Sequence, residues 1–91
     1  MGSEIKKTRP CVIISPDEMN RHLNTIVIAP ITSTSKSYPT RIEIKTGKIT
    51  GWIVLDQIRT IDKLRITGVE SKIEKEIILE VKSVLKETYI N

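Results

Sequence analysis

Three side chains in this 91-residue chain have the types and positions for one reaction. Arg9 stands directly before Pro10, Thr32 follows Pro30-Ile31, and Glu4 closes Gly2-Ser3-Glu4. RNA can be cut by its own 2′-hydroxyl if three needs are met. A group must take the 2′ proton, another must stabilise charge on the phosphorane, and the leaving 5′ oxygen must be protonated. Electrostatic stabilisation at a preorganised site is often the largest of these contributions. An arginine suits it, because the guanidinium fork matches phosphate oxygens and keeps its charge. Pro10 fixes its own φ and confines the residue before it to extended conformations, so Arg9 is launched from a stiff point at the start of a strand. Thr32 can donate to a phosphate oxygen from a strand end, where placement is well defined. Glu4 can accept the proton or orient Arg9, a guanidinium itself being too hard to deprotonate to make an easy base. Each residue also has a plainer reading. Arg9 alone is a salt-bridged surface arginine, Thr32 closes a turn, and Glu4 is a solvated carboxylate.

Strands must hold these groups, and the sequence supplies them. Residues 1–8 are polar, basic and aperiodic and read as a loop. Pro10 to Ser15 is a β-branched strand ended by the turn signal Ser15-Pro16-Asp17, and residues 16–24 form a solvated loop with one helical turn. Thr25 to Ile31 is a second strand. Arg41 to Lys45 alternates polar and apolar, the period of a strand with one face in the core. Thr46-Gly47-Lys48 is a turn. A strand from Gly51 to Leu55 runs on through Ile61, and Asp62 to Leu64 is a turn of helix. Arg65 to Val69 is a last strand. Ser71-Lys72-Ile73-Glu74 matches a capping box, and behind it Ile73, Ile77, Val81, Val84 and Leu85 share one face of a helix over about residues 72–88. The expectation is a single α+β domain, 1–91, with about five short, mostly antiparallel strands in a twisted sheet or small barrel and a closing C-terminal helix.

Composition narrows the function classes. There is no Phe, so the core must be built from Ile, Val and Leu. A domain this small buries a low fraction of its surface, which makes a homodimer a natural source of further burial. Residues 1–65 carry 11 Lys and Arg against 6 Asp and Glu, while residues 66–91 carry 4 against 5. The positive charge therefore lies on the segment with the candidate residues, which suits a polyanion or an acidic protein partner. The single cysteine, Cys11, sits in a β-branched run and reads as core packing; it permits no intramolecular disulfide and no CxxC metal site. No apolar run is long enough for a membrane span, so a reducing cytoplasm is the expected location. His22, the lone histidine, reads as a surface residue, and Trp52 as a core or interface residue.

In order and spacing, Gly2-Ser3-Glu4, Thr8-Arg9-Pro10, Ala29-Pro30-Ile31-Thr32-Ser33 and Ser35-Lys36-Ser37-Tyr38-Pro39 resemble the MazF/PemK family of toxin endoribonucleases. Asp56-Gln57-Ile58-Arg59-Thr60-Ile61-Asp62 adds a third similar block, and the C-terminal helix falls where that family has one. The resemblance implies an SH3-like barrel. It implies the toxin of a type II toxin–antitoxin pair, cutting single-stranded RNA without metal or other cofactor and leaving a 2′,3′-cyclic phosphate and a 5′-hydroxyl. Arg9, Thr32 and Glu4 would be catalytic. Asp56 and Gln57 would lie near the RNA groove, with Ser33, Lys36 and Arg59 as phosphate or base contacts. The partners implied are single-stranded RNA, an acidic antitoxin and a second copy of the chain. One departure is that the strand with which family members open is not found before Gly2-Ser3-Glu4, which would leave an unpaired sheet edge. Two alternatives keep the fold: an RNA- or antitoxin-binding module that cuts poorly or not at all, and a toxin of the similarly folded gyrase-poison group.

Overall fold

A computed structural model describes residues 2–5, 10–46 and 49–90. Among them are seven strands: β1 (Gly2–Ile5), β2 (Pro10–Ile13), β3 (Thr25–Thr32), β4 (Arg41–Thr46), β5 (Ile49–Val54), β6 (Arg59–Asp62) and β7 (Val69–Lys72). Helix α1 covers Asp17–His22 and helix α2 Lys75–Leu85. The sheet runs β4-β5-β3-β2-β1-β7, with β6 also on β3, and every pairing is antiparallel. This is the expected α+β architecture, an antiparallel sheet followed by a C-terminal helix.

β3 is the centre because both of its faces are apolar. Ala29 and Ile31 point to one side and Ile26 and Ile28 to the other, and all four are buried. On the first side Val12, Ile42, Ile44 and Ile53 join them, and Val81 of α2 closes the cluster. On the second side Cys11 packs with Ile26 and Ile28, flanked by Ile13, Ile61 and Ile66. In the absence of Phe, isoleucine carries most of the burial, each such side chain contributing about 1.5–3 kcal/mol. Cys11 is core, as its context suggests.

Several expectations need correction. The loop expected over residues 1–8 contains β1, which pairs with β2 on one edge and β7 on the other. β2 is therefore flanked by β1 and β3, and among the described strands the sheet ends at β4 and β7. Gly-Ser-Glu lacks a strand-like side-chain pattern, and what recruits it is the row of backbone groups offered by β2 and β7. The last strand lies at Val69–Lys72, four residues beyond its expected start. The capping box is not formed. Ser71 is used in β7, opposite Ser3, and α2 starts only at Lys75, with Glu74 at its N-cap making no side-chain cap bond. The helix ends at Leu85 and passes into a π turn, Lys86–Ile90.

The most consequential correction concerns residues 51–61, which are not one unbroken strand. Ile31 faces Ile53, whereas Ile28 faces Arg59. Two residues of β3 thus span the interval that takes five on the other side. The surplus of three is a 3₁₀ turn, Leu55–Gln57, pushed out of the ladder between β5 and β6. The Leu55 side chain is fully buried, while Asp56 and Gln57 stay exposed. The turn is held at its buried end from two directions. Leu55 N donates to the Thr40 carbonyl (3.0 Å), and the Tyr89 hydroxyl in the π turn donates to the Leu55 carbonyl (2.7 Å).

Candidate active site

The C-terminal end of β3, the start of β4 and the Leu55–Gln57 turn enclose a cleft of about 500 Å³. Pro10, Pro30, Thr32, Ser33, Arg41 and Gln57 are among the residues that line it. Thr32 reaches it because Gly51 lets β5 come close. A Cβ at Gly51 would lie 2.5 Å from the Thr32 carbonyl oxygen and 2.9 Å from Ile31 Cγ2. No side chain fits between those backbones. The Thr32 hydroxyl donates to the Thr34 carbonyl at 3.1 Å, which orients its lone pairs and leaves it partly exposed on the cleft wall.

One cation lines the cleft among the described residues, and it is Arg41. Three groups hold its guanidinium. Nε donates to Asp56 Oδ1 (3.4 Å), Nη1 donates to Ser35 Oγ (2.8 Å), and the Tyr38 ring centroid lies 4.9 Å from Cζ. Ser35 Oγ in turn donates to the Lys36 carbonyl at 2.8 Å. Asp56 also accepts from the Thr40 hydroxyl at 3.0 Å. Burial pushes the Asp56 carboxyl up, but the hydrogen bonds from Arg41 and Thr40 and the arginine's charge outweigh it. The group is held below the ordinary aspartate value.

The expected site residues fall into four groups. Thr32, Ser33 and Gln57 line the cleft together, and Asp56 stands beside them as the anchor of Arg41. Lys36 and Arg59 are exposed and do not line it. Arg59 sits on β6 opposite Ile28, on the far side of the 3₁₀ turn. Glu4 occupies the backbone row Glu4–Cys11–Pro30 across β1, β2 and β3. Arg9 lies outside the described residues, while its chain neighbour Pro10 is part of the cleft lining. Sequence reading missed Arg41, which looked like one more outward polar residue of an alternating strand. The available signal was topological. A strand that starts just after the Ser35–Pro39 block starts at the end of the sheet where β3 stops.

Residues 1–89 match the family model described as PemK-like, MazF-like toxin of type II toxin–antitoxin systems. The chain is 34% identical over 90 residues to the endoribonuclease MazF of Staphylococcus epidermidis, covering 92% of this chain and 75% of that protein. It is 39% identical over 71 residues to the endoribonuclease MazF of Staphylococcus saprophyticus, covering 71% of this chain and 59% of that one. Among solved structures, a mycobacterial endoribonuclease in complex with its cognate antitoxin superimposes with a TM-score of 0.81 at 20% identity, over 94% of this chain and 86% of that one. A MazE–MazF complex from Deinococcus radiodurans gives 0.78 at 23%, over 87% and 82%. The structural matches establish the fold and the sequence matches the lineage: this chain belongs to the PemK-like, MazF-like toxins of type II toxin–antitoxin systems.

Proposed function

We propose that the chain is a metal-independent endoribonuclease that cuts single-stranded RNA through its 2′-hydroxyl. The observation that carries this reading is the Thr32 hydroxyl on the wall of a cleft that also holds Ser33, Gln57 and Pro10. The family resemblance supplies the roles of Arg9 and Glu4, and Pro10, the chain neighbour of Arg9, lines the same cleft as Thr32.

In the proposed reaction the Thr32 hydroxyl turns its one O–H from the Thr34 carbonyl to the scissile phosphate, which also accepts a charged hydrogen bond from Arg9. Glu4 takes the 2′ proton as O2′ bonds to phosphorus. The P–O5′ bond breaks, and solvent at the open mouth protonates the leaving oxygen. The products are a 2′,3′-cyclic phosphate and a 5′-hydroxyl. The protein acts as a homodimer in the cytoplasm. An acidic antitoxin segment lies across the positively charged surface of residues 1–65, a reading supported by the antitoxin complexes of its structural neighbours.

The test is cleavage of a long single-stranded RNA in EDTA. Wild type is expected to leave the stated ends, and Thr32→Ala to be slower by roughly 10²–10³-fold, the usual effect of removing one preorganised donor. Arg9→Ala is expected to lose at least as much. Equal cutting by all three proteins would reject the site. RNA bound but uncut by wild type, with affinity falling steeply as salt rises, would replace the nuclease with a binding module.

A further inference from the structure

Arg41 is built for a different task from a phosphate-neutralising cation. Of its five N–H donors, two are committed, one to Asp56 and one to Ser35. Three remain, without a partner among the described residues, on a side chain 20% exposed in the cleft wall. The Asp56 carboxylate opposes the charge of the guanidinium, which weakens its pull on a phosphate at any distance. The same contacts, with the Tyr38 ring against it, fix the direction of the remaining donors. A cation whose charge is partly cancelled and whose donors are aimed is suited to reading an edge with two adjacent acceptors. Among the bases that edge is O6 and N7 of guanine, and arginine is its usual partner.

We propose that Arg41 is a specificity-determining residue that reads a guanine near the scissile phosphate. Asp56, Ser35 and Tyr38 act as its positioning residues. The guanine lies in the cleft between Arg41 and Gln57, within reach of Thr32. This inference rests on the RNA-cutting reading of the same cleft, so its test includes a measurement that needs no cleavage.

Binding is measured on Thr32→Ala with short single-stranded RNAs that differ only in carrying guanine, 7-deazaguanine or adenine at one position, scanned along the oligomer. Guanine is expected to bind roughly tenfold or more tighter than either replacement at one position, within the range of a good bidentate contact. That difference is expected to vanish when Arg41→Ala is added, and to shrink with Arg41→Lys, which keeps charge and lacks the fork. Thermal melts accompany both variants, and Arg41→Lys decides the matter should Arg41→Ala fail to fold. Cleavage profiles of wild type and Arg41→Lys on a random RNA pool form the second arm. A guanine preference in binding with no cleavage by wild type would keep the inference and remove the nuclease. Cleavage indifferent to guanine, or an Arg41→Lys protein with an unchanged profile, would overturn the inference and leave the nuclease standing. A uniform loss of affinity at every sequence, with the salt dependence lowered by about one ion, would make Arg41 a phosphate contact and overturn it as well.

Discussion

The two ends of β3 carry polar networks of similar size and opposite character. At the Thr25 end, the buried Ser15 hydroxyl donates to Asn20 Oδ1 (2.5 Å) and accepts from Val27 N (3.0 Å). Asn20 Nδ2 donates to the Ser15 carbonyl (3.0 Å), and the Lys63 ammonium donates to the Asn20 carbonyl. Here each group meets another, and the result pins α1 and the second 3₁₀ turn, Lys63–Arg65, to the sheet. At the Thr32 end, Arg41 keeps spare donors, Thr32 and Ser33 face a cleft, and Gln57 is exposed. A closed network stabilises a fold, because unmet buried polar groups are costly. An open one in a concave place is a binding site.

The sharpest way to break this contrast is to disturb the open end without touching a polar group. Gly51→Ala puts a methyl 2.5 Å from the Thr32 carbonyl oxygen, too close for contact without a shift. It is expected to destabilise the fold by about 1–3 kcal/mol, as overpacking does, and to lower RNA cleavage per folded molecule more than tenfold by moving Thr32. Denaturant melts and rates normalised to folded protein check both. A variant that cuts at the wild-type rate would show that the approach of β5 does not position Thr32.

The closed end is expected to behave in the opposite way. Ser15→Ala removes the partner of the Val27 N–H and of Asn20 Oδ1 and is expected to cost about 1–3 kcal/mol of stability. RNA binding and cleavage at a temperature well below the melt should be unchanged. A change in cleavage with no change in stability would erase the distinction between the two ends.

The smallest effect is a matter of pH. The Asp56 carboxyl is held below its ordinary value, so the stability it contributes is fully present above the unfolded-state pKa and is lost as pH falls through the folded one. Partly exposed ion pairs of this kind contribute about 0.5 kcal/mol. Wild type is expected to exceed Asp56→Asn by about that much from neutrality down to mildly acid pH. The advantage should fade in stronger acid, below the usual aspartate range, as followed by denaturant melts at each pH. A gap that stays constant into strong acid would mean that the carboxylate charge is not what holds Arg41.

Much of the fold was legible because it follows from side-chain periodicity. The alternation of Arg41–Lys45 and the β-branched runs of β2 and β3 mark their strands, and the apolar face from Ile77 to Leu85 marks α2. What periodicity could not show was structure made by the backbone. β1 forms from Gly-Ser-Glu because two strands offer it hydrogen bonds. The Leu55–Gln57 turn interrupts a pattern that keeps alternating across it. Ser71 fits a cap motif and is taken by a ladder first. In the cleft, Thr32, Ser33 and Gln57 were readable from the motif blocks. Arg41 was not, since its place depends on where β4 begins relative to the end of β3.

The hydrogen bond from Tyr89 to Leu55 links positions 34 residues apart in the chain. Synthesis proceeds from the N-terminus, and the earlier strands can begin to pair while later residues are still being added. The turn that carries Gln57 receives its last support only once position 89 has cleared the ribosome's exit tunnel. A nascent chain that has not yet released position 89 therefore carries a cleft whose Leu55–Gln57 turn still lacks that hydrogen bond.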